Sequence, residues 1–356
     1  MIFGLLLAFV PLSLVLKYLV GSSAVVVFVT SAIAIAALAE WVRRATDQLA
    51  DRVGPAIGGL LTISFGSIAE LVLALFVLMQ GHTEVVQAQI AGSIMATSLL
   101  GLGLAIIVGG AMRERQRFQP ERAGLLSTLL ILVVIALLLP AVFDLTGRTS
   151  GQQAQLTVTD EEVSLGVSVV LLLLYLANLV YTLVTHRDIF SADKPEGGTG
   201  WSLSRSLAVL IGATAAIALE SELLSTALEE SAGALHLSPI FLGVIVLAVV
   251  GTAGDLFAAS WFAYEDRMGL VLQICIGSAI QVALVLAPLL VLASWFLGRP
   301  MNLVFSNPLH LFAIASTAFI VNSIARDGET TWFEGVLLIG VYALFGLAFF
   351  FSAAGH

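Results

Sequence analysis

The stretches G66-S-I-A-E70 and G251-T-A-G-D255 decide how this chain folds. Glu70 is the only charged residue within 57–79, and Asp255 is the only one within 238–263. Each acid lies 22 residues before a Gly-Ser pair, so one offset of 185 residues maps the first constellation onto the second without a gap. A carboxylate in an apolar segment is costly and indicates a functional site. A duplicated pair predicts a transporter site near the bilayer midplane, where two internal repeats meet.

The composition is that of a membrane protein. The 356 residues are 59% hydrophobic and 11% charged, against about 25% charged in a typical soluble domain. Since about 20 apolar residues span a bilayer as a helix, the sequence predicts an all-α polytopic membrane protein with about 11 transmembrane helices. The first run has no basic residue near Met1, and we interpret it as a retained helix rather than a signal peptide. The predicted spans are 2–20, 24–41, 57–80, 87–110, 123–143, 162–185, 203–225, 239–263, 269–297, 302–325 and 331–353.

Basic residues predict the orientation, because cytoplasmic loops are enriched in Lys and Arg. They follow the even-numbered spans, which places the N-terminus and the even-numbered connections in the cytoplasm and the C-terminus outside. The short loops suit a bacterial inner (plasma) membrane. The residues concerned are Arg43, Arg44, Arg52, Arg113, Arg115, Arg117, Arg122, Arg187, Lys194, Arg267 and Arg326.

The duplication predicts two inverted five-helix repeats plus an N-terminal helix. The first constellation occupies spans 3 and 4 and the second occupies spans 8 and 9, so five crossings, an odd number, separate them. The predicted units are the N-terminal transmembrane helix 1–23, the first inverted repeat 24–185, a cytoplasmic linker 186–202 and the second inverted repeat 203–356. Inverted repeats with a site at their interface are a common transporter plan.

The chemistry of the two acids predicts ion exchange. No Lys or Arg lies in the apolar interior of a predicted span to pair with Glu70, and an unpaired ionised carboxylate there carries a large desolvation penalty. Each acid must therefore be protonated, bind a cation or face a water-filled cavity. If Glu70 and Asp255 face one another, one divalent cation or two protons would neutralise both. Competition between the cation and the protons for the two carboxylates is the physical basis of exchange.

Oxygen-bearing neighbours suit a hard cation such as Ca²⁺, which takes six to eight oxygen ligands. A helix break at Gly66 or Gly251 would add free backbone carbonyls. Close helix packing by these glycines and by the serines is the alternative, and for the acids the alternative is a protonated side chain bonded to a neighbouring helix. The candidate ligands are Glu70, Asp255, Ser67, Thr252, Gly66, Gly251, Ser93, Ser278, Gln281, Thr97 and Glu222.

The remaining polar residues have weaker signals. Glu220 and Glu222 lie late in span 7, and we interpret them either as an outer cation relay or as residues at the water interface. Of the two, we favour Glu222 for a functional role. Glu40 and Asp47 are expected in solvent. Cys275 is the only cysteine, so no intrachain disulfide can form. We expect no cofactor and no nucleic-acid partner. The expected partners are the lipid bilayer, the cation and protons. The sequence does not decide whether the protein forms a homo-oligomer.

The motifs resemble one family. G58-G-L-L-T-I-S-F-G-S-I-A-E-L71 and F241-L-G-V-I-V-L-A-V-V-G-T-A-G-D255 look like the two repeats of calcium/proton exchangers, in the calcium/cation antiporter superfamily. I276-G-S-A-I-Q-V-A-L284 continues the second repeat. The resemblance covers about residues 30–350 and implies eleven helices, alternating access and cation binding by the two repeat acids. It also gives Gln281 the place of a site-gating glutamine.

The chain departs from that family pattern at the presumed ligands. Thr62, Ser67, Thr97 and Thr252 stand where the family has Asn, and the second acid is Asp. The expected activity is export of cytoplasmic Ca²⁺ in exchange for protons. The alternative is that a protein of the same fold exchanges Na⁺, K⁺, Mn²⁺ or Mg²⁺ for protons.

Two other classes of protein are remote. A253-G-D255 partly matches the Gly-x-Gly-Asp pattern of intramembrane aspartyl proteases, but Thr252 replaces its first glycine and no Tyr-Asp partner occurs. A non-transporting scaffold would leave the costly buried acids without a function. The sequence therefore predicts a transporter and not an enzyme.

Overall fold

The structure, a computed structural model, describes residues 2–111, 113–149, 156–181, 200–305 and 307–354. Helices dominate this part of the chain, since a backbone in lipid must satisfy its own hydrogen bonds. In chain order they are α1 (Ile2–Leu6), α2 (Phe9–Val15), α3 (Ala24–Phe65), α4 (Ile68–Met79), α5 (Thr83–Gly110), α6 (Pro120–Thr149), α7 (Leu156–Val180), α8 (Leu203–Leu235), α9 (Pro239–Tyr264), α10 (Met268–Phe296), α11 (Pro308–Arg326) and α12 (Trp332–Ala354). Two short strands, β1 (Gln116–Arg117) and β2 (Glu329–Thr330), pair antiparallel.

The apolar helices confirm the predicted all-α membrane fold. Among the described residues, nine helices are long and apolar enough to cross a bilayer, and two shorter apolar helices, Gly4–Val20 and Ile68–Met79, accompany them. Together they correspond to the eleven predicted spans. The predicted linker 186–202 lies outside the described residues except for its last three positions.

One predicted boundary is wrong. The sequence predicts separate spans at 24–41 and 57–80, but α3 continues as a helix through the polar connection to Phe65. Ion pairs three and four residues apart, from Arg43 to Glu40 and to Asp47, stabilise a helix through such a stretch. The helical path ends at Gly66 and Ser67, and α4 begins directly after them.

Helix boundaries repeat with the same offset as the motifs. Thr83 and Met268 begin α5 and α10, and these residues are 185 positions apart. Wide, π-helical turns interrupt both helices at equivalent places, Ala96–Gly101 and Val282–Leu286. The division into two inverted repeats stays a prediction, and this correspondence favours it.

Contacts between connections group them at two ends of the molecule. At one end, Arg113 follows α5 and pairs with Asp266 after α9, at 3.4 Å between Nε and Oδ1. The β1–β2 pairing joins the connections after α5 and α11 at that same end. At the other end, His82 lies 3.5 Å from Glu229 near the end of α8. The grouping agrees with the predicted alternation of connections, while the assignment of one end to the cytoplasm stays a prediction.

The centre of the molecule is formed where α5 crosses α9. These backbones touch: a Cβ added to Gly92 would lie 2.0 Å from the carbonyl oxygen of Val244. Only glycine permits such an approach, as is common where helices pack in membranes. Val244 lies in a third wide turn, Leu242–Leu247. The close crossing brings the segment that carries Ser93 towards the one that carries Asp255.

Candidate cation-binding site

Glu70 lies in the first turn of α4, beside the break in the helical path. Its side chain is buried, with 1% of its surface exposed. Of the two alternatives at Gly66, the break is present, because Gly66 and Ser67 are not helical and separate α3 from α4. A helix that ends leaves its last carbonyls without intrahelical partners, and a helix that begins favours a carboxylate in its first turn. The break therefore supplies oxygen atoms and a favourable place for an anion.

Asp255 lies within a continuous helix. Ser278 of α10 donates a hydrogen bond from Oγ to Oδ2 of Asp255, at 2.7 Å. The helix runs unbroken from Ala248 to Tyr264, so the break considered at Gly251 is absent. The irregularity of this segment falls earlier, in the wide turn Leu242–Leu247.

Gly251 instead brings the two halves of the site together. A Cβ at this position would lie 3.2 Å from Cγ and 3.3 Å from Cβ of Glu70. The packing alternative for Gly251 is therefore the one that the structure shows. The same approach places the carboxylates of Glu70 and Asp255 near enough to interact electrostatically.

Buried hydroxyl groups lie in the segments that carry the two acids and in α5. Thr97 donates its hydroxyl hydrogen to the Ser93 carbonyl at 2.9 Å, and Thr252 donates to the Ala248 carbonyl at 2.8 Å. Within the described part of the chain, Oγ of Ser67, Oγ of Ser93 and Oε1 of Glu70 have no hydrogen bond of standard geometry, although Ser93 is close enough to Glu70 to interact with it. These oxygen atoms are therefore free to bind an ion or a water molecule.

The other two predicted ligands differ in position. Gln281 is half-buried and directly precedes the wide turn Val282–Leu286 in α10. Glu222 is exposed, and the buried acid of that helix is Glu220, which accepts a hydrogen bond from Ser13 Oγ at 2.7 Å. The structure therefore does not bring Glu222 to the pair of acids, whereas Glu220 fixes the N-terminal helix to α8.

Sequence reasoning missed the ionic residues on α3. Glu40, expected in solvent, has no exposed surface and pairs with Arg43 at 2.9 Å and with Arg44 at 2.6 Å. Arg43 in turn acts electrostatically on Asp255. The signal was present in the sequence as the spacing of Glu40, Arg43, Arg44 and Asp47, which suits pairing along one helix.

The donor set suits a hard cation. The described residues contain no group of three or more His, Cys, Asp or Glu side chains that could hold a metal ion. Two carboxylates with hydroxyl, amide and carbonyl oxygens match Ca²⁺ and similar ions rather than transition metals, which prefer nitrogen and sulfur.

Known proteins resemble the chain along nearly its whole length. The family described as "Sodium/calcium exchanger protein" matches residues 23–184 and 205–351. A "Ca(2+)/H(+) antiporter" of Aphanothece halophytica is 39% identical, over 98% of this chain and 96% of the relative. The "Ca(2+)/H(+) antiporter ChaA" of Bacillus subtilis is 36% identical, over 98% of both chains.

Solved structures share the fold. That of native YfkE superimposes with a TM-score of 0.85 at 32% identity and covers 98% of this chain and 99% of its own. The structure of an "H+/Ca2+ Exchanger CAX" has a TM-score of 0.71 at 14% identity and covers 99% and 92% of the two chains. With the family match and the relatives above, these likenesses show that the chain is an integral membrane protein that belongs to the sodium/calcium exchanger family.

Proposed function

We propose that this protein exports cytoplasmic Ca²⁺ in exchange for protons by alternating access, with Glu70 and Asp255 holding the cation and the protons in turn. The observation that carries the proposal is the contact of Gly251 with Glu70, which joins two acidic motifs from distant parts of the chain. The relatives are named Ca²⁺/H⁺ antiporters, and these names support Ca²⁺ and H⁺ as the two exchanged ions.

The oxygens around the two acids are numerous enough for Ca²⁺. Two carboxylates offer up to four oxygens, and the carbonyls at the end of α3 add neutral ones. Thr97 and Thr252 give their hydroxyl hydrogens to their own helices, which leaves oxygen lone pairs for a cation. Ser67, Ser93, Ser278 and Gln281 complete the proposed shell.

Proton coupling follows from burial. A buried carboxylate pair is stable only when its charge is compensated. One Ca²⁺ or two protons compensate it equally in charge, so the arrival of one load displaces the other. Exchange in opposite directions then requires only that the site opens to one side at a time.

Flux in proteoliposomes tests the proposal. Glu70→Gln and Asp255→Asn should each abolish Ca²⁺-driven proton movement, because each removes one of the two charges that Ca²⁺ needs. Glu230→Gln is the matched control, since Glu230 is exposed at the far end of α8. Normal exchange in both site variants would contradict the proposal.

The identity of the transported ion has to be measured, because the family pattern has Asn at four positions where this chain has a hydroxyl residue. These are Thr62, Ser67, Thr97 and Thr252. Hydroxyls reach less far than the amides that the family pattern has at these positions, so a load other than Ca²⁺ is the second candidate. A flux panel of Ca²⁺, Mg²⁺, Mn²⁺, Na⁺ and K⁺ at acidic and alkaline pH decides between them. We place the protein in a bacterial inner membrane, with the N-terminus in the cytoplasm and the C-terminus outside.

A further inference from the structure

Four charged residues form a compact cluster on α3, here called the Arg43 cluster: Glu40, Arg43, Arg44 and Asp47. Arg43 donates to both oxygens of Glu40, from Nε at 2.9 Å and from Nη2 at 3.0 Å, and to Asp47 Oδ2 from Nη1 at 2.6 Å. Arg44 donates from Nε to Glu40 Oε1 at 2.6 Å. The cluster thus contains two positive and two negative charges.

The Arg43 cluster lies against the segment that carries Asp255. A Cβ added to Gly254 would lie 3.3 Å from the carbonyl oxygen of Ala39 and 3.5 Å from the backbone nitrogen of Glu40. Here α3 and α9 touch through their backbones, one residue from Asp255. The charged groups that act on Asp255 from α3 are Arg43 and Glu40; Glu70 faces it from α4 and Ser278 from α10.

Arg43 has hydrogen-bonding capacity left. A guanidinium carries five N–H donors, and Glu40 and Asp47 take three of them. The Arg43 side chain is 18% exposed, whereas that of Arg44 is 40% exposed. Arg43 is therefore the less solvated of the two positive charges, and it acts on Asp255 electrostatically rather than through a direct contact.

The cluster lies towards the end of the molecule that we assign to the cytoplasm. Further along α3, Gln48 accepts a hydrogen bond from the backbone N–H of Trp201 at 3.0 Å, and Trp201 lies within the predicted cytoplasmic linker 186–202. Arg43 therefore acts on Asp255 from the side that we assign to the cytoplasm.

We propose that Arg43 is a resident positive charge that competes with the transported cation for Asp255 and so sets the affinity on the cytoplasmic side. The inference rests on the proposed function in that Asp255 is a cation ligand. A fixed unit charge repels a divalent ion twice as strongly as a monovalent one at the same distance. Arg43 thereby weakens Ca²⁺ binding more than Na⁺ or K⁺ binding.

The KM for Ca²⁺ applied to the cytoplasmic side of proteoliposomes tests this role. Arg43→Gln should lower the KM by about three- to tenfold, as expected for a partly screened charge near a site. Arg43→Lys should stay near the wild type. Arg44→Gln is the matched control, because it removes the same charge from the same partner, Glu40, at a more solvated place, and it should change the KM by less than about twofold.

The sign of the change separates this role from a purely structural one, since a damaged site would bind Ca²⁺ more weakly. An unchanged or higher KM in Arg43→Gln overturns the inference, and so does an equal decrease in Arg44→Gln. Glu40→Gln provides an independent test if Arg43→Gln does not fold: it frees Arg43 for Asp255 and should raise the KM, and an unchanged or lower value contradicts the inference. A wild type that exchanges no Ca²⁺ contradicts the proposed function instead.

Discussion

Gly251 leaves little room for a methyl group beside the Glu70 side chain. A Cβ there would lie 3.2–3.4 Å from three carbon atoms of Glu70, so Gly251→Ala should displace the carboxylate. Misplacement of a reacting group by about 1 Å can cost two orders of magnitude in rate, and the contact distances call for a smaller shift, so we expect exchange to fall severalfold. The measurement is the initial rate of Ca²⁺-driven proton flux.

The control for that substitution is Gly212→Ala. Gly212 lies in α8, and a Cβ there meets nothing within 4 Å, so its substitution should leave the flux near the wild type. If Gly251→Ala transports as fast as this control, Glu70 does not need its present position.

Ser278 fixes the orientation of Asp255 through a hydrogen bond of 2.7 Å. Hydrogen bonds to charged groups contribute about 1.5–3 kcal/mol, and Ser278→Ala should therefore raise the KM for Ca²⁺ about tenfold or more. Ser260→Ala is the matched control on the same helix as Asp255, because Ser260 donates to the Leu256 carbonyl instead. Equal KM values in both variants would show that Asp255 is held by other contacts.

At the scale of residues, the sequence singled out the two acids and Ser278, but it predicted neither the contact of Gly251 with Glu70 nor the action of Arg43 on Asp255. Glu70 and Asp255 were found because a single charge in an apolar run is conspicuous. The contact of Gly251 with Glu70 depends on how α4 meets α9, which no local pattern reports. Arg43 was missed because a charged stretch after an apolar run resembles a solvated helix end, although the structure buries Glu40 completely.

At the scale of elements, the crossing of α5 and α9 depends on Gly92. A Cβ there would lie 2.0 Å from the Val244 carbonyl oxygen and 2.8 Å from the Ala248 side chain. Gly92→Ala should force the helices apart and destabilise the protein by about 1–3 kcal/mol, the usual range for overpacking. The measurement is the midpoint of thermal unfolding in detergent, which should fall by several degrees.

Gly166→Ala serves as its control, since Gly166 lies in a helix, α7, with open space around it. Alanine there should preserve or slightly raise the midpoint, because it has the higher helix propensity. A midpoint for Gly92→Ala equal to that of this control would mean that the close crossing contributes little to stability.

The two acidic motifs differ as elements although their sequences match. The first has a break at Gly66 and Ser67, whereas the second stays helical through Gly251 and has its wide turn at Leu242–Leu247. Sequence could not distinguish these outcomes, because glycine suits both an interrupted helix and a close helix contact. The helical path is therefore interrupted beside the acid in the first motif and not in the second.

At the scale of the whole molecule, hydropathy predicted the number and order of the spans because lipid imposes long apolar helices on any chain that crosses it. It failed at the connection after the second span, where ion pairs keep α3 helical. The groups of connections at the two ends of the molecule, held by Arg113 with Asp266 and by His82 with Glu229, follow the alternation that the basic residues predict.

The orientation of the whole molecule can be measured by cysteine labelling, because the native Cys275 is buried, with 1% of its surface exposed. Glu114 and Glu230 are both exposed and belong to opposite ends. In intact cells a membrane-impermeant maleimide should label Glu230→Cys, and Glu114→Cys should react only after the inner membrane is permeabilised. The unsubstituted protein provides the background, and after denaturation it should react at Cys275. The reverse pattern would invert the topology, placing the Arg43 cluster on the outer side and making Arg43 a determinant of extracellular rather than cytoplasmic affinity.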